Sequence, residues 1–157
     1  MAPADDDRYL AVDGRRWRRS DPAIPAPLRA ELVAELMDAR RAVRNDPDTA
    51  RPRVQDAKVA LGERGRAWWD PPEEDALQAR AVAAIRALLR HRRGKTICPS
   101  DVARVVGGDR WRTTMPLVRE VARDLADAGE LVVTQRGEAV SLLTARGPVR
   151  LALPNPG

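Results

Sequence analysis

The chemistry available to this chain is carried mainly by arginine. All but Lys58 and Lys95 of its 28 basic side chains are arginines. The guanidinium is a planar fork of donors that matches carboxylate and phosphate oxygens two at a time. Two clusters stand out. Arg15, Arg16, Arg18 and Arg19 surround Trp17, a pattern that can follow a phosphate backbone while the ring stacks a base. The competing reading is a solvated strand with Trp17 in the core, its charge offset by Asp5, Asp6, Asp7, Asp13 and Asp21. The second cluster is Arg110, Arg112 and Thr113, followed by Arg119 and Arg123 at helical spacing. Lys95 and Arg136 flank it in sequence. Cations so placed can hold phosphates, with Arg110, Arg112 and Thr113 turned to base edges. Arginine abundance also follows from GC-rich codon usage, which carries no function.

Other chemistries find little support. Cys98 is the single cysteine and His91 the single histidine. They allow neither an internal disulfide nor a thiolate or histidine metal cluster. Cys98 precedes Pro99-Ser100 at an expected helix start, where a thiol can be activated. The commoner role of a lone cysteine is that of a small buried apolar group. None of the glycine-rich phosphate loops or nucleophile motifs is present. No enzyme activity and no cofactor are expected.

The elements that must position these residues follow from pattern. The chain has 157 residues, 43% of them apolar, but only four Trp, one Tyr and no Phe. Its core must be built from Leu, Val, Ile and Ala in closely packed helices. The predicted class is α+β, mostly helical. Residues 1–7 are expected to be a disordered tail without the features of a signal peptide. Asp13-Gly14, between Tyr9–Val12 and Arg15–Arg19, signals a type I′ hairpin. Trp17 and Leu10 or Val12 are expected on its packed side. After the rigid Asp21–Pro25 connector, Leu28, Leu32, Leu36 and Ala39 mark a helix over 27–43. Val54, Ala57, Lys58 and Leu61 mark a second over 49–62, antiparallel to the first because the turn is short. Trp68 and Trp69 end this half. They serve either as large plugs for a core of small residues or as an exposed partner contact.

The C-terminal half opens with Pro71-Pro72-Glu73-Glu74-Asp75, suited to a helix start. Leu77, Ala81, Ala84, Ile85 and Leu88 continue it to His91. Lys95–Ile97 reads as a short strand. Pro99 opens a second helix with Val102, Ala103, Val105 and Val106 inward. After Gly107-Gly108, a third helix runs to Ala128, with Met115, Val118, Val121 or Ala122, and Leu125 inward. Pro116 conflicts with its early part. It implies a start at Thr113 or Thr114, one of them capping, or a kinked helix from Asp109. Trp111, near the turn, is read as a core plug. Strands are expected at 131–134 and 139–143, with an edge at 148–153. This order is that of a winged helix-turn-helix preceded by a β-ribbon plus helical hairpin. The expected parts are 8–70 for the ribbon and hairpin and 73–153 for the winged helix.

The stretch from Gly94 to Gly107, then Trp111-Arg112, Val118-Arg119, Thr134-Gln135-Arg136-Gly137 and Gly147-Pro148-Val149-Arg150, resembles the bacterial family called domain of unknown function 3253. The resemblance covers about residues 75 to 152 and implies a winged-helix-like fold. It implies no ligand or catalytic residue. Tyr9 through Trp69 resembles short actinobacterial proteins of unknown role.

Net charge is +5, and residues 73–157 hold 14 basic against 10 acidic side chains, where residues 1–72 hold 14 against 13. The basic excess therefore lies with the expected winged helix, where a polyanionic partner would gain most. The functional expectation is a cytoplasmic DNA-binding regulatory or accessory protein. Its duplex would meet Lys95, Arg110, Arg112, Thr113, Arg119, Arg123 and Arg136. The alternative is a protein-interaction adaptor, or self-association, through Trp68, Trp69 or Arg15–Arg19. No stretch is long and apolar enough for a membrane span.

Overall fold

The computed structural model describes residues 5–155. The expected tail falls on 1–4, outside the described residues, and on Asp5–Asp7. The latter are not a tail but part of a single helical turn, α1 (Asp5–Arg8), with three acids at its positive end. The hairpin forms as expected. β1 (Tyr9–Val12) pairs antiparallel with β2 (Arg15–Arg18), Leu10 facing Trp17. Asp13 and Gly14 take the two left-handed positions of the turn, φ 50° and 76°.

The packed side of that ribbon is the reverse of the expected one. Leu10, Val12 and Trp17 are 44%, 45% and 42% exposed, and it is the face bearing Tyr9 and Arg18 that packs. The reason lies in Trp68 and Trp69. Their rings meet edge to face at 5.0 Å, and Trp69 meets Tyr9 the same way at 5.5 Å. Arg8 and Arg18 lie over Trp69, and Trp68 Nε1 donates to the Arg19 carbonyl at 3.0 Å. Arg18 donates to the carbonyls of Gly62 and Gly65. Trp68 and Trp69 attract the Tyr9 face of the ribbon with arginines interleaved, so Trp17 is left half exposed on the other face, with Lys58 Nζ over its ring at 4.9 Å.

α2 (Ala26–Ala42) buries Leu28, Leu32, Leu36 and Ala39, the periodic positions. α3 (Pro47–Leu61) begins with the Asp46 carboxylate accepting from Thr49 N–H and ends at Gly62, φ 82°. A residue with a side chain is disfavoured at Gly62 on two counts, the first being its left-handed backbone. A Cβ there would also press on Asp21 and Trp68 at 3.3 Å. α4 (Glu74–His91) buries Ala81, Ala84, Ile85 and Leu88, together with Ala83, Ala87 and Leu89, and is the hub of the molecule. α2, α3, α4 and the C-terminal elements contribute to one continuous buried cluster.

α5 (Pro99–Gly107) buries Val102, Ala103, Val105 and Val106. A 3-10 turn, Gly108–Arg110, leads into α6 (Trp111–Asp127). α6 follows neither of the two expected starts. It begins at Trp111, its N-cap residue Arg110 makes no side-chain cap, and Pro116 lies inside it. Thr113 and Thr114 do not cap. Their hydroxyls donate back to the carbonyls of Arg110 and Trp111, each at 2.7 Å. The Pro116 ring lies on the exposed side of the helix.

The sheet has the order β4-β3-β5, with β3 (Val132–Gln135), β4 (Glu138–Ala139) and β5 (Arg150–Ala152) all antiparallel. Ile97 adds the expected short strand as a bridge to Leu151. The expected strand at 139–143 is cut short. Val140 still donates to Val133, but Ser141 begins a turn, its carbonyl accepting from Thr144 and Ala145. The connection between β3 and β5, from Arg136 to Pro148, is the wing, and the whole has a winged-helix-turn-helix-like topology.

Candidate nucleic-acid interface

The helix-turn-helix unit is held by a close approach that its glycines permit. A Cβ on Gly107 would stand 3.0 Å from Thr114, and Thr114 Oγ1 reaches the Ala103 carbonyl of α5 at 3.3 Å. Gly108 has φ 55° and ψ −126°, a combination open to glycine. The turn thus presents Arg110 and Arg112 to solvent at the start of α6. Trp111 is half-buried between them and α5. The guanidinium groups of Arg104 and Arg112 both lie 4.5 Å from its ring centroid. The ring packs on the core with one part and orders two arginines with the rest. Arg104 was not among the expected site residues, because spacing alone does not reveal a stack between two helices.

On α6, Arg112, Arg119 and Arg123 fall within about 40° of one another at 100° per residue. That strip faces the wing. Arg119 donates to the carbonyls of Ala145 at 3.3 Å and Gly147 at 3.4 Å. Arg119 is therefore a brace between helix and wing, with part of its donor capacity already used. Arg123 has Asp124 at 3.8 Å. Glu120, Asp124 and Asp127 form the neighbouring strip and are all exposed. Thr113 is exposed, though its hydroxyl proton is committed to the Arg110 carbonyl.

The wing is rigidified from within. Gln135 Nε2 donates to the carbonyls of Arg146 at 2.6 Å and Pro148 at 3.1 Å. Arg136 occupies the β3–β4 turn at φ 53°, next to Gly137 at 82°, and its side chain is exposed. Arg146, which pattern did not single out, is also exposed on the wing. Lys95 stands apart from the α6 strip. With Arg92, Arg93 and Arg150 it lines a shallow cavity of about 610 Å³ around Thr96. There Arg150 donates to the hydroxyl and carbonyl of Thr96.

Carboxylates take up some of the arginines in and around the helical layers, while Arg29, Arg40, Arg44, Arg51 and Arg64 have none within 4.0 Å among the described residues. Arg53 meets Glu35 at 2.9 and 3.0 Å, Arg80 meets Asp21 at 3.0 Å, Arg86 meets Glu130 at 2.7 Å, and Arg92 meets Glu31 at 2.6 Å. Arg92 is held well above the ordinary guanidinium pKa, first by its hydrogen bond to Glu31. Glu31 and Glu130 are held below the ordinary carboxylate range by their bonds to Arg92 and Arg86. In the C-terminal half, Lys95, Arg104, Arg110, Arg112, Arg119, Arg136, Arg146 and Arg150 also have no carboxylate within 4.0 Å among the described residues. The ribbon cluster Arg15, Arg16, Arg18 and Arg19 is likewise unmatched, but Arg16 lies over Tyr9, and Arg18 and Arg19 donate to backbone carbonyls.

Cys98 is half-buried and caps α5. Its Sγ accepts from the Asp101 N–H and from Ser100 Oγ at 3.0 Å, while Asp101 accepts from the Cys98 N–H at 3.1 Å. That is a capping box with sulfur in place of a hydroxyl. Among the described residues no group of three or more His, Cys, Asp or Glu is arranged to hold a metal ion, and no helix is long and apolar enough to cross a membrane.

Residues 78–154 match the model of a family described as protein of unknown function (DUF3253). The match begins inside α4 and ends after β5, so it covers the winged-helix elements and leaves out the ribbon and helical hairpin. No curated protein matches the chain.

Proposed function

We propose that the C-terminal half binds duplex nucleic acid, with the start of α6 entering the groove and the wing lying along the backbone. One observation carries this reading. Arg110 and Arg112 at the α6 start and Arg136 and Arg146 on the wing are exposed and have no carboxylate within 4.0 Å among the described residues. An unpaired guanidinium keeps its full charge for a phosphate, and releasing condensed counterions then drives association. Arg110 and Arg112 are the groove-facing candidates, with Thr113 beside them. Arg123, Arg136 and Arg146 are the phosphate-facing ones, and Arg119 sets the distance between helix and wing. Lys95 belongs to the same reading only as a second contact through the cluster with Arg93 and Arg150. The role is that of a cytoplasmic accessory or regulatory protein without a catalytic step.

The test is fluorescence anisotropy with a labelled random duplex at low and near-physiological salt, comparing the parent with Arg112→Ala/Arg136→Ala. Removing one groove contact and one phosphate contact should weaken binding and flatten the slope of log affinity against log salt by about 1. Absence of binding at low salt removes the proposal.

A second reading has its own observation. Leu10, Val12 and Trp17 form an exposed apolar face on the ribbon, and the acidic strip of α6 would repel a polyanion. This favours a protein partner, engaged through Trp17 rather than through Trp68 and Trp69, which are spent on holding the ribbon.

A further inference from the structure

A second group of cations gathers on the helical hairpin, apart from the winged helix. A shallow groove of about 680 Å³ lies between the end of α2, α3 and the loop after it. Arg40, Arg51 and Arg64 line it with Val43 and Val54, and no carboxylate does. All three arginines are exposed, and none has a carboxylate within 4.0 Å among the described residues.

Lys58 carries this group toward the ribbon. Arg51, Val54 and Lys58 follow one another at spacings of three and four on α3, so they share one side of that helix. Lys58 is only 6% exposed, a rare state for a lysine without an anionic partner. It has no carboxylate within 4.0 Å among the described residues. What meets it is the Trp17 ring, whose face attracts the ammonium but gives its three N–H donors no lone pair. The ammonium is not sealed from solvent, since Arg8 Nε and Arg80 Nη2 are the fully buried side-chain polar atoms without a partner among the described residues. Burial holds the Lys58 pKa below the ordinary lysine value, and repulsion from Arg64 and Arg40 lowers it further; Glu63 is the smallest influence, in the opposite direction. Like charges are held together here at a cost that an anion laid across them removes. Trp17, beside the ammonium, is itself 42% exposed. By strand alternation it shares its ribbon face with Arg15, which is exposed.

We propose that the surface running from Arg51, Arg40 and Arg64 past Lys58 to Trp17 is a path for single-stranded nucleic acid, with phosphates on the cations and one base stacked on the indole. A basic groove that tracks the backbone, leading to an aromatic ring that stacks a base, is how unpaired strands are held. A half-exposed indole suits any base, whereas two half-buried valines offer the apolar side of an acidic helix little depth. The path lies on the hairpin half and does not depend on duplex binding by α6 and the wing. A protein partner on Trp17 is the rival occupant.

The experiment is fluorescence anisotropy of the full chain with a labelled oligothymidylate of about twelve nucleotides, within the range that single-strand sites cover. The parent is compared with Arg40→Ala/Arg64→Ala, Trp17→Leu and Arg112→Ala/Arg136→Ala across a range of salt. All of these side chains are exposed, so no variant removes core packing. Arg40→Ala/Arg64→Ala should weaken binding and flatten the slope of log affinity against log salt by about 1.4, the value for two single-strand phosphate contacts. Trp17→Leu should lose at least about five-fold in affinity, the low end for one stacked base, with its slope unchanged. Arg112→Ala/Arg136→Ala should still bind the strand. The idea is overturned by absence of binding at low salt, or by undiminished affinity in either hairpin-half variant. Loss of binding in Arg112→Ala/Arg136→Ala would overturn it by assigning the strand to α6 and the wing. Displacement of the strand by an equal concentration of oligoglutamate of matched charge would overturn it in favour of an acidic protein partner.

Discussion

Glu35 shows how much a single residue can hide from pattern. It lies on α2 among leucines and is 1% exposed, with Arg53 of α3 bound to both carboxylate oxygens. The bond raises the Arg53 pKa above its ordinary value. Breaking a buried pair from one side leaves a charge without its partner, whereas replacing both sides with apolar groups is close to neutral. Glu35→Ala should therefore destabilise the chain by about 3 kcal/mol, and Glu35→Leu/Arg53→Met should recover most of it. Urea midpoints of the two variants check this; equal losses would mean that the pair contributes no more than its packed volume. In sequence Glu35 reads as one more solvated carboxylate, and only the second helix reveals its partner. The same holds for Trp17. Its alternation with Leu10 and Val12 assigns the three to one face correctly, but the identity of the packed face depends on where Trp68 and Trp69 lie, some fifty residues on.

At the scale of elements, the α5–α6 turn is the most constrained piece. Gly108 occupies a backbone region that disfavours side chains, and a Cβ there would stand 2.9 Å from that of Ala23. Strain and overlap add, so Gly108→Ala should cost about 2–4 kcal/mol, measured as a lowered urea midpoint. A loss below 0.5 kcal/mol (about the size of a neutral surface change) would show that the turn relaxes freely. The helices themselves were legible, because Leu, Val and Ala recur at 3.6-residue spacing over stretches long enough to be unambiguous. The errors fall at ends and short strands. α6 starts at Trp111 because the 3-10 turn carries the chain straight into it, while Thr113 and Thr114 bond backward. The strand after the β3–β4 turn stops at Ala139 because Ser141 closes a local turn. Such choices rest on single hydrogen bonds, which composition does not encode.

At the scale of the molecule, α4 ties the parts together by charge as well as by apolar burial. Arg92 reaches Glu31 of α2 and Asp101 of α5, Arg90 reaches Asp56 of α3, and Arg86 reaches Glu130 beyond α6. Glu31 and Glu130 have lowered pKa values in the folded state, chiefly through these hydrogen bonds. A lowered folded-state pKa adds stability that is fully present above the unfolded value. It is lost as pH falls through the folded one. Unfolding free energy should then decline as pH drops below about 4.3, the ordinary glutamate value. Glu31→Gln/Glu130→Gln should be less stable than the parent at pH 7 and show a shallower acid decline. A parallel decline in both proteins, followed by urea unfolding across pH, would remove these two carboxylates as the cause. Both groups are partly exposed, so solvent screening keeps the effect modest.

The sequence by itself determined the class of this protein: the order of helices and hairpins, the residues of its apolar faces, the hairpin turn at Asp13-Gly14 and the concentration of basic charge in the C-terminal half. These are local quantities, set by side-chain period and backbone preference over a few turns. Tertiary structure alone decided which charges are spent and which are free. It matched Arg53, Arg80, Arg86 and Arg92 to carboxylates far along the chain, left Arg110, Arg112, Arg136 and Arg146 without carboxylate partners, and stacked Arg104 and Arg112 on Trp111. Electrostatic pairing depends on distances of a few ångströms between segments, and those distances exist only once the layers have packed.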